Sequence, residues 1–313
     1  MFGFTRRLVL GGVFAGMAMS ADAKAPDVSL RPKKRPVGFS RRSAPDVGNL
    51  IASAQLGGNV TYCVVDVGSG ETLESHGGST ALPPASVTKA VTALYALQAL
   101  GPGYRFETRL WATRGVSNGI VQGDLVLAGG GDPTLDTNAL ATLASKLKQA
   151  GIREVRGKLR VWGGALPFER IIDDNQPEHV SYNPAISGLS LNFNRVHFEW
   201  KRVGGDYTVA MDARSNKYRP DVRVARISVA PRSQPDYTYT DKGDHDSWTV
   251  ARDALGNGGA RWLPVRKPDA YAAEVFATFA RSQGIQLKIG SPLASAPSGE
   301  VVASNASQAL TKI

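Results

Sequence analysis

Ser86 and Lys89 are the two residues of this chain whose types and spacing best suit covalent chemistry. They lie three positions apart, directly after Pro83 and Pro84, where an apolar, alanine-rich segment begins. Positions i and i+3 share one face of a helix, so we expect the hydroxyl and the amine to point the same way. A serine hydroxyl is a weak nucleophile at neutral pH and needs a neighbouring base. The start of a helix also provides free N–H groups that favour a developing oxyanion.

The alternative interpretation is an N-cap serine followed one turn later by an exposed lysine. Local chemistry alone does not separate the two, and a Ser-x-x-Lys pattern occurs by chance in many chains. Other nucleophile patterns in the chain are weaker. Residues 115–119 spell G-x-S-x-G around Ser117, but the Asn-Gly pair inside it and the β-like flanks indicate a hairpin turn. Ser190-Leu191-Asn192 spells S-x-N, and we interpret it as part of a strand.

No cofactor or metal site is expected from the sequence. The four histidines are scattered without metal-ligand spacing, and the glycine run 129–131 lacks the Gly-Lys-Ser/Thr of a phosphate loop. Cys63 is the only cysteine, so an internal disulfide is impossible. It lies in a β-branched, aromatic run, which predicts a small buried side chain.

The elements around Ser86 follow from the pattern of apolar residues and turns. We predict a strand over 60–67, a returning strand over 71–76 and a helix over 86–100 that ends at Gly101-Pro102-Gly103. Further along the chain the pattern predicts two strands within 106–128, a helix over 135–150, strands over 153–162 and 189–200, and a helix over 270–283. The strand over 189–200 is expected to carry a bulge near Asn194.

Three separated motifs resemble the D-alanyl-D-alanine carboxypeptidase/endopeptidase family, which are low-molecular-mass penicillin-binding proteins with a large inserted domain. The motifs are residues 84–89 around Ser86, residues 123–135 with the Gly-Gly-Gly-Asp-Pro run, and residues 182–194. Residues 301–304 give a weaker fourth match in the expected order. The resemblance implies an α+β fold: a penicillin-binding-protein/β-lactamase-like catalytic domain, with an antiparallel sheet flanked by helices, interrupted by a large β-rich inserted domain.

The resemblance also implies a function. Ser86 would be the nucleophile and Lys89, in its neutral form, the general base of D-Ala-D-Ala carboxypeptidase and endopeptidase action on peptidoglycan peptides. β-Lactams would acylate the same serine as covalent inhibitors. The segment from Gln176 to Tyr182 resembles the part of the family that lies near the substrate side chain, so these two residues are candidate substrate-binding residues.

The chain departs from the family in one respect. Members carry S-x-N and K-T-G motifs after the inserted domain, and no Lys-Thr-Gly occurs in residues 1–313. We therefore expect that the C-terminal part of the catalytic domain is missing and that the polypeptide is a portion of a longer enzyme. The alternatives are a catalytically incomplete wall-binding homologue and a serine β-lactamase or esterase.

The domain boundaries follow from these motifs. We predict an export signal at 1–23, a basic Pro-rich linker at 24–45, the first part of the catalytic domain at 46–105, the inserted domain at 106–298 and the start of the return at 299–313.

Charge and the N-terminus indicate an exported protein. Arg6-Arg7, an apolar stretch and a small-x-small site at 21–23 predict a cleaved signal peptide, of the twin-arginine or Sec type, and hence a periplasmic location. The net charge of the 313-residue chain is +10, but residues 24–42 hold seven Lys/Arg against Asp27 alone. The remainder is nearly neutral, which excludes nucleic-acid binding as the reason for the charge. The basic leader could associate peripherally with membrane or wall polymer.

Overall fold

The computed structural model describes residues 47–313. These residues divide into two compact units, one ending at Ala85 and one running from Ser86 to Ile313. The predicted signal peptide and basic linker lie outside the described residues. Among the described helices, none combines the length and the apolar character that crossing a membrane requires.

Within its described residues, 47–85, the first unit contains one helix and one hairpin. Its elements are α1 (Val47–Ser53), β1 (Tyr62–Val65) and β2 (Thr72–His76). β1 and β2 pair antiparallel, which confirms the predicted returning strand. Their register shifts between Val64 and Val65. Cys63 lies on β1 with an exposed side chain, so the prediction of a buried cysteine is wrong. The hairpin leaves both of its faces largely open, and alternation alone could not show this.

The second unit begins with the segment that carries Ser86. A 3₁₀ turn (Ala85–Val87) leads into α2 (Thr88–Leu100), which stops at Gly101 with a φ of 85°. The predicted helix over 86–100 is therefore confirmed, except that its first turn is 3₁₀ rather than α-helical. None of the residues of α2 is buried.

Four sheets and two further helices follow in the second unit. The elements are β3 (Glu107–Ala112), β4 (Val116–Ser117), β5 (Ile120–Val121), β6 (Leu125–Ala128), α3 (Thr137–Gln149), β7 (Glu154–Val155), β8 (Leu159–Trp162), β9 (Arg195–Val203), β10 (Asp206–Asp212), β11 (Ala225–Ala230), β12 (Tyr237–Asp241), β13 (Asp246–Ala251), β14 (Gly258–Pro264), α4 (Pro268–Ser282) and β15 (Glu300–Ala306). The largest sheet has the order β15-β3-β6-β8, and smaller sheets have the orders β4-β5-β7, β10-β9-β14 and β11-β13-β12.

α3 and α4 close the core. Asp136 caps α3 by accepting a hydrogen bond from Ala139 N–H at 2.8 Å. The apolar stripe of α3 buries Leu140, Leu143 and Leu147, and α4 buries Tyr271 and Phe276 completely. The apolar residues whose helical spacing predicted both helices thus form the faces that pack on the sheet.

The hairpin prediction around Ser117 is confirmed. β4 and β5 pair antiparallel across Asn118 and Gly119, whose φ angles are 49° and 71°. Two consecutive positive φ angles are typical of the turn that joins tightly paired strands. Ser117 therefore does not lie on a nucleophile elbow.

The predicted strand over 189–200 is wrong in its first half. Residues Leu191–Asn194 form a 3₁₀-like turn in which Asn192, Phe193 and Asn194 have φ angles of 51°, 60° and 51°. The strand begins only at Arg195. Asparagine tolerates the left-handed region because its short polar side chain bonds locally, and alternation of residue types does not reveal such a turn.

Residues 300–311 pair with residues 102–112 of the same unit. β15 pairs antiparallel with β3, and the N–H groups of Leu310 and Thr311 donate to the carbonyls of Tyr104 and Pro102. Residues 300–306 thus belong to the same sheet as β3, and the boundary drawn at 298/299 stays a prediction.

Candidate active site

Ser86 and Lys89 are in direct contact. Lys89 Nζ donates a hydrogen bond to Ser86 Oγ at 2.8 Å. The contact arises because the 3₁₀ turn and the first turn of α2 bring positions i and i+3 onto one face. The spacing in the sequence therefore predicted the geometry of this pair, although the serine lies one residue before the N-cap of α2, Val87.

The backbone next to the serine is strained. Ala85 has a φ of 44°, in the left-handed region that a residue with a Cβ rarely adopts. Such conformations cost about 1–3 kcal/mol and concentrate at functional sites. Val87, at the N-cap position of α2, provides no side-chain hydrogen bond to the first turn. The N–H groups at the start of α2 thus lack a capping side chain, which suits a site where negative charge develops.

The surroundings of the pair are apolar and open. Ser86 and Lys89 are exposed, and so are Val87, Val91 and Tyr95 of the same segment, at 74%, 68% and 72%. Exposed apolar side chains in a row mark a surface that is normally covered by protein or ligand.

The second candidate pair, Gln176 and Tyr182, is also brought together. Tyr182 O–H donates to Gln176 Oε1 at 3.0 Å, and 66% of Tyr182 is exposed. Among the described residues, no hydrogen bond or ion pair connects this pair to Ser86 or Lys89.

Two residues that we did not single out from the sequence hold the loop of Gln176 in place. Asn183 is buried; its Oδ1 accepts hydrogen bonds from the N–H groups of Ile172 and Asp173, both at 2.9 Å, and its Nδ2 donates to Asp173 O at 2.8 Å. The guanidinium of Arg266, only 3% exposed, donates to the carbonyl oxygens of Asn183, Glu178 and Arg170.

Burial lowers the pKa of the Arg266 guanidinium, and its nearest partners are carbonyl dipoles rather than a carboxylate. A buried guanidinium that donates hydrogen bonds to three carbonyls holds in place the backbone segments that carry those carbonyls. In the sequence, Arg266 is a single arginine directly after the apolar run 262–265. Composition does not distinguish it from an ordinary arginine at the end of a strand.

The S-x-N residues at 190–192 have structural roles. Asn192 Oδ1 accepts a hydrogen bond from Thr137 N–H at 3.2 Å, and its Nδ2 donates to Thr137 Oγ1 at 2.9 Å and to Tyr271 Oη at 3.3 Å. Ser190 O–H donates to Ser187 O at 3.0 Å. These contacts tie the turn to α3 and α4, and they leave Asn192 buried and occupied.

No group of three or more His, Cys, Asp or Glu side chains is arranged to hold a metal ion within residues 47–313.

Comparisons with known proteins identify the family of the chain. The model of the D-Ala-D-Ala carboxypeptidase 3 (S13) family matches residues 44–313. The chain is 31% identical over 219 residues to a D-alanyl-D-alanine carboxypeptidase of Actinomadura sp. strain R39, covering 69% of this chain and 36% of that protein. It is 32% identical over 114 residues to DacB of Haemophilus influenzae, covering 36% of this chain and 24% of that one.

Solved structures show the same fold. Penicillin-binding protein 4 (dacB) of Haemophilus influenzae superposes with a TM-score of 0.67 at 22% identity, covering 85% of this chain and 60% of that chain. Its complex with a β-lactam superposes with a TM-score of 0.63 at 21% identity, covering 85% and 59%. The fold is therefore the α+β, penicillin-binding-protein type with an inserted domain. The chain spans about a quarter to three fifths of the length of these relatives. By its match over nearly all described residues, the chain belongs to the D-Ala-D-Ala carboxypeptidase 3 (S13) family.

Proposed function

We propose that this protein is a serine-type D-Ala-D-Ala carboxypeptidase, with endopeptidase action on cross-links, that acts on peptidoglycan peptides through an acyl-enzyme on Ser86. The observation that carries the proposal is the 2.8 Å contact between Lys89 Nζ and Ser86 Oγ at the start of α2. The matched family and the carboxypeptidase relatives support the substrate class.

The proposed reaction has two steps. Ser86 Oγ attacks the carbonyl carbon of the penultimate D-alanine while neutral Lys89 takes the hydroxyl proton. The tetrahedral oxyanion is stabilised by N–H groups at the start of α2, among them that of Ser86. The C–N bond breaks, the terminal D-alanine leaves as an amine with a proton from Lys89, and an ester on Ser86 remains. Water then attacks the ester and gives a proton to Lys89, which passes it to Ser86 Oγ as the acyl C–O bond breaks. The shortened peptide leaves as a carboxylic acid that ionises in solution, and Ser86 and neutral Lys89 are regenerated.

β-Lactams are proposed to acylate the same serine. One structural relative of this chain was solved in complex with a β-lactam. A β-lactam presents an amide carbonyl in a strained ring, so Ser86 attack opens the ring by the same chemistry and leaves a covalent ester.

Gln176 and Tyr182 are proposed to contact the substrate side chain. The three carbonyls that Arg266 binds and the hydrogen bonds of Asn183 keep their loop ordered. A pre-ordered loop loses little conformational entropy when a substrate binds. Arg266 and Asn183 would thus act as positioning residues for this contact.

The location is proposed from the substrate. Peptidoglycan lies outside the cytoplasm, so a protein that acts on it is exported, and we propose that residues 1–23 serve as the export signal to the periplasm. The basic segment 24–42 is proposed to contact membrane or wall polymer. Both segments lie outside the described residues.

Labelling with a fluorescent penicillin tests the proposal. It is applied to this chain and to any longer product of the same reading frame. We expect a covalent label that is lost in Ser86→Ala and strongly slowed in Lys89→Met, which removes the amine and keeps the length of the side chain. Ser117→Ala is the matched control, because Ser117 is an exposed serine at the end of β4, and it should be labelled like the wild type. The proposal fails if no form is labelled or if Ser86→Ala is labelled as strongly as the wild type.

A second candidate function is wall binding without turnover. This candidate predicts binding to peptidoglycan with no penicillin label and no release of D-alanine. The same labelling assay, combined with co-sedimentation with peptidoglycan, separates the two functions.

A further inference from the structure

A groove in the second unit is lined by more cationic than anionic side chains. Among the described residues, none of these cations forms an ion pair. The groove has a volume of about 630 Å³ and is lined by residues 154–158 and 284–288 together with Arg281. Its charged side chains are Arg156, Lys158, Arg281 and Lys288, against Glu154 alone. We call these four cations the groove cations.

The backbone explains why the lysines lie together. Residues 153–160 and 285–290 run side by side in a parallel arrangement, with Glu154 opposite Gln286 and Leu159 opposite Ile289. Leu159 is buried, so the residue before it, Lys158, points to the opposite face and is exposed. Lys288 occupies the matching position on the neighbouring segment and is also exposed. Both lysines line the same groove.

The groove cations lack acidic partners in the part of the chain that the structure describes. None of the four forms a salt bridge there, and Arg156 donates only to the amide oxygen of Gln122, at 2.6 Å. Elsewhere in the same unit arginines do pair, as Arg160 does with Asp124 at 2.6 Å. Like charges that converge without compensation repel one another, and a binding partner of opposite charge removes that repulsion.

The adjoining cleft carries balanced charge. It is lined by the arginines Arg223, Arg226 and Arg281 and by the acids Asp244, Asp269 and Glu274. The excess of cations is therefore a property of the groove itself.

We propose that the groove cations bind carboxylates of peptidoglycan stem peptides, at a site separate from Ser86. The choice of partner rests on the proposed function, since D-Ala release leaves a carboxylate at the end of each trimmed stem peptide. The two ammonium groups and two guanidinium groups that line the groove can each hold such a carboxylate. The groove would hold the wall polymer close to the enzyme between turnovers.

The test is co-sedimentation with purified peptidoglycan sacculi, free of teichoic acid, in a Ser86→Ala background. Acylation does not contribute there, so failure of the groove and failure of the proposed catalytic function remain distinguishable. The variant Lys158→Gln/Arg281→Gln/Lys288→Gln should bind about tenfold more weakly at about 20 mM salt, since each exposed charge contact contributes modestly. The control Lys201→Gln/Arg202→Gln/Lys217→Gln removes the same charge from exposed positions outside the groove and should change binding less than about twofold.

Chemical amidation of the sacculus carboxylates should reduce wild-type binding to the level of the groove variant. Equal losses in both triple variants would show that only net charge matters and would overturn the proposal. Full binding to amidated sacculi would overturn it as well. Groove-dependent binding to phosphatidylglycerol vesicles but not to sacculi would assign the surface to a lipid instead.

Discussion

Asn192 is expected to stabilise the fold through both its side chain and its backbone. Its side-chain amide forms hydrogen bonds with Thr137 of α3 and Tyr271 of α4, and its φ is 51°. Asn192→Gly keeps the left-handed backbone easy to adopt but leaves the buried N–H of Thr137 without its acceptor. An unsatisfied buried donor costs about 1–3 kcal/mol, so we expect a loss of about 2 kcal/mol in the free energy of unfolding.

Asn192→Ala adds a second cost. Alanine has a Cβ and no side chain that bonds locally, and the left-handed conformation then costs about a further 1–2 kcal/mol. We therefore expect Asn192→Ala to lose about 3–4 kcal/mol in total. The order of stability should be wild type, then Asn192→Gly, then Asn192→Ala.

Urea denaturation followed by tryptophan fluorescence measures the effect. All five tryptophans lie in the second unit, and Trp248 is fully buried. Asn216→Ala, at an exposed asparagine, is the control and should lose less than about 0.5 kcal/mol. The reasoning is refuted if Asn192→Gly is as stable as the wild type, or if the glycine and alanine variants are equally destabilised. Folded Asn192→Gly should also keep the penicillin-labelling rate of the wild type, because its role is structural and not that of a catalytic S-x-N asparagine.

Three further predictions concern the core, a helix cap and pH. Phe276→Ala should lower the free energy of unfolding by about 3–5 kcal/mol, while Tyr95→Ala, 72% exposed, should change it by less than about 0.5 kcal/mol in the same urea assay. Asp136→Ala should cost about 1 kcal/mol in that assay, because the Ala139 N–H of α3 loses its cap; Asp136→Ser should recover most of the loss, and no loss in the alanine variant would contradict the capping role. Burial raises the pKa of Asp269 above its unfolded value, so this group makes stability fall as pH rises from about 4, through the unfolded and then the folded pKa. Asp269→Asn should therefore show a shallower fall in stability as the pH rises above about 4, and an unchanged slope would contradict that assignment.

The elements that the sequence predicted correctly are those whose pattern is local. The stripe of Leu140, Leu143 and Leu147 repeats at helical spacing, and the Asn118-Gly119 pair demands a tight turn. The Ser86–Lys89 contact is of the same kind, because a spacing of three residues brings the two side chains onto one face once the segment is helical.

The features that the sequence did not predict depend on distant residues. Asn192 adopts its turn because Thr137 and Tyr271, 55 and 79 positions away, satisfy its amide. The role of Arg266 depends on carbonyls that lie 83–96 positions earlier in the chain. Exposure of Cys63 depends on which neighbours cover the β1 hairpin. In each case, the tertiary partner decides the outcome, and local propensity contains no information about it.

The open position of α2 has a consequence for reactivity. Ser86 and Lys89 both face solvent, where water molecules compete for each hydrogen-bonding group and an exposed contact contributes only about 1 kcal/mol. Their relative position is set by a few residues of backbone, but the dielectric around them is set by whatever lies over the apolar side chains of Val87, Val91 and Tyr95. On the proposed mechanism, the 3₁₀ turn and the first turn of α2 therefore set the geometry of the Ser86–Lys89 pair, while its reactivity depends on what lies over these apolar side chains.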